Sequence, residues 1–269
     1  MNFQIIWKLM AAVLIAAIVS SGCAKRFALE GMRPEQAYRY LEKKYNNGDY
    51  IEAIDGLEFF TLNYSGSALV DSAWFLLAES HFSMKEYLLA EDAFDELTRR
   101  YPRSGLVPEA MFNIGACYWK LSPKYSLDQE YTNRAIDAFQ AFIDFFPDYT
   151  DRVREAQDLI EQCRDKLAHK IYASSVIYIK MKDYPAAVNY LQWVIDEYYD
   201  TDWSPRAAYQ IGVALQKGKK YPEAIEAYRA YLQKYPKHEW ISKAENGIRE
   251  VTYAMTAREE EDEEDRFGE

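Results

Sequence analysis

The feature that most constrains the fold is a short phrase that recurs five times along the chain. An alanine is followed four residues later by a bulky residue and eleven residues later by an aromatic one, as with Ala53, Leu57 and Tyr64. The five alanines lie 37, 45, 52 and 37 residues apart, at Ala53, Ala90, Ala135, Ala187 and Ala224. Self-similarity with this period predicts a stack of small units, each unable to bury a core alone.

Each unit has the pattern of two packed helices. A second small residue stands twelve positions before the alanine, as Ala78 and Gly212 do, and small residues on both helices let the backbones approach. Proline ends the second helix after three of the closing aromatics, at Pro102, Pro147 and Pro236. The pattern resembles the tetratricopeptide signature. We therefore predict an all-α, elongated and curved solenoid of five helix-turn-helix repeats, closed by a C-terminal capping helix from Ile241.

The two longer spacings predict insertions. The first, of 8 residues, predicts a loop around Pro123 within repeat three. The second lengthens the stretch 151–182, which has no Gly or Pro and carries apolar residues at helical spacing, so it predicts one helix of about 48 Å. Repeats one to three occupy residues 34–150, and the linking helix, repeats four and five and the capping helix occupy residues 151–257.

The N-terminal segment has the pattern of a secretion signal. Lys8 precedes an apolar run from Leu9 to Val19, which is too short for a comfortable membrane span and closes on small residues before Cys23. A cysteine directly after Ser-Gly resembles a bacterial lipobox, although Ser20 stands where leucine is usual. We predict a lipoprotein signal peptide at 1–22, diacylated Cys23 and an anchored linker at 23–33, with no other cofactor.

Charge is concentrated at the C-terminus. Residues 258–269 contain eight acidic and two basic residues, while the whole chain has a net charge of −11, and we expect this segment to be a disordered acidic tail. No basic stripe suited to a nucleic-acid backbone is present. After acylation of Cys23 two cysteines remain, Cys117 and Cys163, and their apolar-periodic positions favour buried thiols over a disulfide.

The chain carries no recognisable catalytic or metal-binding motif. Its three histidines, His81, His169 and His238, have neither zinc-ligand nor nucleophile–base spacing, and His81 stands where repeats often place a packing tyrosine. The carboxylates Glu58 and Glu79 have the pattern of ordinary helix residues. We therefore expect no enzyme, no catalytic residues and no metal.

A second resemblance identifies a family. The segment from Lys166 to Tyr172, continuing to Tyr184 and Pro185, together with the lipobox and the repeats, resembles the BamD (ComL) family of outer-membrane β-barrel assembly lipoproteins. This resemblance implies a non-enzymatic scaffold, lipid-anchored at the periplasmic face of the outer membrane. It also implies that residues 34–150 bind unfolded outer-membrane protein clients and that residues 151–257 dock on the periplasmic domains of the barrel-forming insertase. Accessory lipoproteins are further expected partners.

Two alternatives remain open from the sequence. One is a periplasmic tetratricopeptide lipoprotein that coordinates cell-wall synthesis enzymes, and the other is a lipoprotein cofactor for an envelope enzyme. A barrel-forming protein recovered in a pull-down would favour the β-barrel assembly interpretation over both alternatives.

Aromatic residues supply the candidate contact sites. One series, which continues in repeats four and five and suits the scaffold, comprises Tyr38, Phe75 and Phe112. A second series, limited to the first three repeats, comprises Tyr45, Phe82 and Trp119. All six residues lie on the first helices of their repeats, whose face usually lines the concave side of such a solenoid. They therefore predict an aromatic groove for clients, with interhelical packing as the alternative. For partner docking we expect Trp193, Trp203 and Trp240, since large aromatics often anchor interfaces, with packing between helices as the alternative for each.

Overall fold

A computed structural model describes residues 29–267, and these residues form eleven helices and no strand. The predicted signal peptide and Cys23 lie outside the described residues. The helices are α1 (Pro34–Asn46), α2 (Tyr50–Asn63), α3 (Val70–Ser83), α4 (Tyr87–Arg100), α5 (Val107–Leu121), α6 (Glu130–Phe145), α7 (Thr150–Lys180), α8 (Tyr184–Glu197), α9 (Trp203–Lys217), α10 (Tyr221–Lys234) and α11 (Ile241–Phe267).

The helices form antiparallel pairs that correspond to the five predicted repeats. The pairs are α1–α2, α3–α4, α5–α6, the end of α7 with α8, and α9–α10, after which α11 packs on the last pair. The predicted long helix is confirmed as the 31-residue α7, and the predicted insertion around Pro123 is confirmed as the connection between α5 and α6. The all-α helical repeat fold is therefore confirmed.

A contact between a small residue and a ring holds the two helices of a repeat together. A Cβ atom added at Gly115 would lie 2.6 Å from the ring of Phe139, and one added at Gly212 would lie 2.5 Å from the ring of Tyr228. Repeat one reverses the arrangement, because Leu41 stands at the small position of its first helix and Gly56 on the second helix accommodates it. Each repeat thus keeps one small and one large partner at the crossing.

The described residues form two compact units. Unit 1 consists of residues 29–122 and 133–156, and unit 2 consists of residues 123–132 and 157–267. The core of unit 1 is built from the facing sides of its hairpins, with Phe60, Phe94 and Phe139 fully buried. The core of unit 2 is centred on Leu191 and Tyr228.

The residues just after the expected lipid site are part of unit 1. Leu29 is only 2% exposed, and the Tyr64 hydroxyl at the end of α2 donates to the carbonyl oxygens of Leu29 (2.8 Å) and Met32 (3.0 Å). The expected linker at 23–33 is therefore shorter, because its described part is packed. The burial of the Leu29 side chain and the two hydrogen bonds from Tyr64 hold this segment on unit 1.

The loop of repeat three belongs to unit 2 and not to the repeat that contains it. Tyr125 stacks on His169 of α7, with ring centroids 3.6 Å apart, and Lys170 donates from Nζ to the carbonyl oxygen of Leu127 at 2.8 Å. Gln129, which is buried, donates to three carbonyl oxygens of the same loop, so the loop is compact. Our assignment of residues 34–150 to one half of the molecule thus misplaces this segment.

The C-terminal segment differs from expectation. Helix α11 continues to Phe267, so most of the acidic segment expected to be disordered is helical. It contains no Gly or Pro before Gly268 and is rich in glutamate, a good helix former, so the capping helix extends through it. None of the described helices has the length and apolarity needed to cross a membrane.

The turns inside four repeats share one geometry. A residue with positive φ follows the first helix at Gly48 (81°), Lys85 (63°), Lys182 (63°) and Lys219 (58°). The next N–H donates to a carbonyl five residues earlier, as from Glu86 to His81 (2.9 Å), which is the Schellman motif. Glycine suits this left-handed position, and only the first repeat has it.

Replacing Lys182 by Gly should therefore stabilise unit 2. Relief of the left-handed strain of a side-chain-bearing residue outweighs the greater freedom that glycine has in the unfolded chain, giving about 0.5–1 kcal/mol in the free energy of unfolding. The matched control is Lys180→Gly, two residues earlier in the last turn of α7, which should lose roughly 1 kcal/mol. Urea unfolding followed by circular dichroism measures both. Equal losses in the two variants would contradict the assignment of the turn.

Candidate functional site

The first candidate surface lies on α1, α3 and α5, the first helices of the repeats in unit 1. Tyr38, Phe75 and Phe112 each pack across their own hairpin. Their ring centroids lie 6.2 Å from Phe60, 5.4 Å from Phe94 and 5.5 Å from Phe139, respectively. Phe112 is only 3% exposed and is no groove residue, because its ring is enclosed by α6 and by the guanidinium of Arg152 at 4.6 Å. Tyr38 and Phe75 are half-buried, and all three rings contribute to the packing of their hairpins.

The second aromatic series is half-buried and lies near the ends of the same helices. The rings of Tyr45 and Phe82 contact the first residues of the following helices, Tyr50 at 5.6 Å and Tyr87 at 5.2 Å. Trp119 has the ammonium of its neighbour Lys120 4.6 Å from its ring. Each ring therefore has one packed and one accessible part, the usual state of an aromatic side chain at the rim of a binding surface.

A carboxylate links the three first helices of unit 1. Glu79 of α3 accepts hydrogen bonds from the Tyr45 hydroxyl of α1 (3.4 Å) and from the Asn113 amide of α5 (3.0 Å). Each partner is 34 residues from Glu79 in the chain, about one helical turn short of the 37-residue repeat period. The two hydrogen bonds therefore connect Glu79 to the repeat before it and to the repeat after it. Burial raises the pKa of Glu79, while the Tyr45 hydrogen bond opposes this rise. We expected Glu79 to be an ordinary helix carboxylate, and its role becomes visible only when successive repeats are aligned.

Two further polar contacts join neighbouring helices of unit 1. The Tyr118 hydroxyl of α5 donates to Glu91 of α4 at 2.9 Å, and burial raises the pKa of Glu91 and that of Tyr118, the latter to about 12. Arg152 at the start of α7 pairs with Glu109 of α5. This face therefore offers half-buried aromatic rings separated by hydrogen-bonded polar groups, which suits contact with an extended chain more than with a small ligand.

The second candidate surface lies in unit 2, where only one of the three expected docking tryptophans is exposed. Trp193 on α8 is 50% exposed. Trp203 is half-buried against His169, whose ring lies 4.0 Å away and nearly parallel, and Trp240 is half-buried against Tyr209 at 5.2 Å. Trp203 and Trp240 are therefore less accessible than Trp193, because each ring packs against a neighbouring element.

Trp193 forms one end of an apolar strip. Its ring lies 6.2 Å from Tyr190, which lies 5.0 Å from Tyr178 of α7. Ile177 of α7 is 57% exposed, and Met181, the residue that follows the helix, is 68% exposed. We define these five residues as the α7–α8 strip. Ile177 and Met181 were missed in the sequence because they lie outside the apolar stripe of the helix, although their i, i+4 spacing on the opposite side was a signal.

The remaining candidate groups pack or are buried. Cys117 and Cys163 are free and buried, as predicted, and burial raises the pKa of their thiols to about 12 and about 11, which keeps them protonated and unreactive at neutral pH. His81 is buried and its Nδ1 lies 2.8 Å from Glu86, in agreement with the packing role expected for it. Among residues 29–267, no group of three acidic, histidine or cysteine side chains is placed to hold a metal ion.

Comparisons with known proteins agree with the repeats and with the family resemblance. The family model described as outer membrane lipoprotein, YfiO, matches residues 30–207, and a tetratricopeptide repeat model matches residues 206–238. A curated relative, outer membrane protein assembly factor BamD of Rickettsia prowazekii (strain Madrid E), is 25% identical over 243 residues, which cover 88% of this chain and 95% of that protein.

Solved structures with some likeness include other repeat proteins. The TPR2AB domain of yeast Sti1 in complex with pHSP90 has a TM-score of 0.42 and 17% identity, and the alignment covers 82% of this chain and 84% of that one. MamA has a TM-score of 0.35 and 17% identity, with 76% and 92% of the two chains covered. The family model spans well over half of the chain, and the chain therefore belongs to the YfiO (BamD-like) family of outer membrane lipoproteins.

Proposed function

We propose that this protein is a scaffold lipoprotein of the machinery that assembles β-barrel proteins in the outer membrane. The observation that carries the proposal is the match of the outer membrane lipoprotein family over residues 30–207, joined by a relative named as an outer membrane protein assembly factor. In this function unit 1 recruits unfolded outer-membrane protein clients, and unit 2 docks on the periplasmic domains of the barrel-forming subunit. No step requires catalysis.

The client surface is the first-helix face of unit 1. Tyr45, Phe82 and Trp119 supply half-exposed rings one repeat apart, and Glu79 and Asn113 supply polar groups between them. An unfolded barrel strand alternates apolar and polar side chains and ends in aromatic residues, so rings and hydrogen-bonding groups in alternation complement it. Because Phe112 is enclosed, only the second aromatic series is assigned to this surface.

The docking surface is the α7–α8 strip of unit 2. The rings of Tyr178, Tyr190 and Trp193 lie side by side, and Ile177 and Met181, next to Tyr178 in the chain or three residues after it, are exposed, whereas isolated apolar residues on a surface need no partner. Tryptophan and tyrosine are enriched among the residues that dominate binding energies. The strip extends the set of docking residues beyond the tryptophans that the sequence suggested.

The anchor is the acylated Cys23, and the packing of Leu29 determines its reach. Six chain steps separate the two residues, so a lipid on Cys23 keeps Leu29 within about 20 Å of the membrane surface even if the chain is fully extended. Two or more acyl chains are needed for stable anchoring. The N-terminal residues of unit 1 therefore stay near the lipid.

Cys23→Ala should abolish stable membrane attachment. We expect the variant to accumulate in the periplasm or to remain as the unprocessed precursor, since the acyl chains that would hold the mature protein on the membrane are then not added. Fractionation of cells and mass spectrometry of the N-terminal peptide measure this. A variant that sediments with the outer membrane as fully as the parent, in cells depleted of the barrel-forming subunit, would contradict lipidation at Cys23.

Photo-crosslinking should capture clients at the second aromatic series. Crosslinkable residues at Tyr45, Phe82 and Trp119 should label a peptide that carries the C-terminal strand of an outer-membrane barrel protein, because these rings are accessible on one face. Controls at Leu62, which is 76% exposed, and at Gln216, the repeat equivalent in unit 2, should label weakly. Ile179 is the other repeat equivalent but is 8% exposed and makes a poor control. Equal capture at the controls would assign the series to packing alone.

Charged substitution in the α7–α8 strip should release the docking partner. We expect Ile177→Glu combined with Trp193→Glu to reduce copurification of the barrel-forming subunit at least about tenfold, since loss of a central aromatic anchor costs more than 1 kcal/mol. The matched control is Tyr253→Glu, an aromatic residue of unit 2 that is 77% exposed. Quantitative mass spectrometry after affinity purification gives the ratio. If the dominant companion is a cell-wall synthesis enzyme, the proposed function is wrong.

A further inference from the structure

A second cluster in unit 2 combines cations with tryptophan rings and contains none of the α7–α8 strip. The guanidinium carbon of Arg206 lies 5.1 Å from the centre of the Trp203 ring and 6.0 Å from that of Trp240. The ammonium of Lys243 lies 4.9 Å from the same Trp240 ring. On the other side, His169 stacks on Trp203 at 4.0 Å. The cluster thus alternates cationic or polar heads with rings from α7 to α11.

The members of this cluster recur with the period of the repeats. His169, Arg206 and Lys243 are 37 residues apart, as are Trp203 and Trp240. In unit 1 the positions equivalent to Arg206 are Ser72 and Glu109, and those equivalent to Trp203 are Leu69 and Leu106. Leucine therefore suffices to pack this position of the fold. The tryptophans and cations of unit 2 exceed what packing requires.

The cationic heads of the cluster lack acidic partners. Within the described residues Arg206 makes no hydrogen bond or ion pair, and its buried Nε has no partner, although buried polar atoms are normally satisfied. Lys243 is exposed and likewise contacts only the ring. Elsewhere in unit 2, by contrast, Arg164 pairs with Asp200 at 2.7 Å while lying over the Tyr198 ring. The Arg206 guanidinium is positioned by the two indole rings and has no carboxylate partner, so it is available to bind one.

The two cationic groups indicate the chemistry of a ligand that would fit this cluster. An arginine guanidinium binds a carboxylate through two parallel hydrogen bonds, and indole rings hold it in place. Arg206 and Lys243 lie 6.0 and 4.9 Å from the centre of one ring, so both can be reached by carboxylates on alternate residues of an extended segment, which lie about 7 Å apart on the same side. An anionic bilayer fits less well, because exposed Asp202 and Glu239 adjoin the two tryptophans and lie under any broad negative surface, whereas a narrow segment can reach the two cations without covering these carboxylates.

We propose that Arg206 and Lys243, positioned by Trp203 and Trp240, bind an acidic segment of a protein partner through two of its carboxylates. This inference rests on the proposed function in so far as unit 2 is the docking half, and it gives the chemistry of a second contact there. The apolar α7–α8 strip supplies burial, whereas this cluster selects for negative charge and fixes register. Trp203 and Trp240 therefore act as positioning residues and not as exposed anchors.

A labelled peptide tests the charge preference directly. The probe is a fluorescein-labelled decapeptide of alternating glutamate and serine, added to the mature lipoprotein in nonionic detergent, with the glutamine–serine peptide as its neutral counterpart. We expect salt-sensitive binding of the acidic peptide by fluorescence anisotropy and at least about tenfold weaker binding of the neutral one. Glycerol 3-phosphate, the charged part of an anionic phospholipid, is the competitor, and it should displace the peptide only in large excess.

Variants then separate the cluster from general charge. Arg206→Gln with Lys243→Gln should weaken peptide binding about tenfold, while Arg229→Gln with Lys217→Gln, an equal charge change at exposed positions of unit 2, should change it less than about twofold. Arg206→Lys keeps the charge without the two-pronged geometry and should fall between them. Circular dichroism melts show that each variant is folded. Unchanged binding by the first double variant, absent binding by the parent, or displacement by equimolar glycerol phosphate would each overturn the inference.

Copurification distinguishes failure of this inference from failure of the proposed function. If the Arg206 and Lys243 variant retains the barrel-forming subunit while the Ile177 and Trp193 variant loses it, the docking proposal stands and the acidic contact is wrong. If neither variant affects any companion, the assignment of unit 2 as the docking half fails as well. Loss in both supports the two contacts together.

Discussion

The crossing of two helices over a small residue is the contact on which the rest of the molecule depends. Gly115 against Phe139 and Gly212 against Tyr228 allow the backbones to approach to within the thickness of one ring. Any side chain at either glycine would push the ring away and open the hairpin. Because the ring is then enclosed on all sides, each hairpin is rigid, and its first helix keeps a second face for contacts between repeats or with partners.

The same repeat architecture carries different surfaces in the two units. Unit 1 uses its inter-repeat positions for a carboxylate, Glu79, that joins three helices through Tyr45 and Asn113. Unit 2 places Trp203 and Arg206 at positions that hold leucine and serine or glutamate in unit 1. The polar surface in one half is therefore internally satisfied, whereas part of that in the other half is not. Shared backbone geometry with divergent side chains is what allows one fold to hold unlike partners.

Much of the fold was predictable because its signals are periodic and local. The alanine origins, the prolines after the closing aromatics and the Gly-free stretch of α7 each act within one helix or one hairpin. The packing of Cys117, Cys163 and His81 followed from the same periodicity. The end of α11 was misjudged because charge density was weighed above helix propensity in a stretch without Gly or Pro. The family was recognised from a local run of residues, and the family match confirms it.

The candidate sites were less predictable, since a helical position alone does not reveal which side of a ring is covered. Phe112 and Phe82 each belong to an aromatic series that recurs on the first helices of the repeats. A neighbouring helix and Arg152 enclose Phe112, whereas Phe82 stays half-exposed. Trp203 and Trp193 look equally suited to an interface in the sequence, but His169 from α7 covers Trp203. Such covering depends on contacts between residues that lie 27 to 40 positions apart in the chain, which periodicity does not encode. The Glu79 bridge and the Arg206 cluster were missed for the same reason.

The loop at 123–132 has a consequence for how the chain is made. Tyr125 and Leu127 leave a ribosome before His169 and Lys170, on which they are anchored, so the loop emerges more than forty residues ahead of its binding site. Domains fold largely as they emerge, N-terminal part first. The helices on either side of the loop, α5 and α6, can therefore pair before the residues that bind the loop have been synthesised. Its docking is a late event in biogenesis, and a nascent chain stalled before His169 would present on both faces a tyrosine ring that the finished protein covers on one.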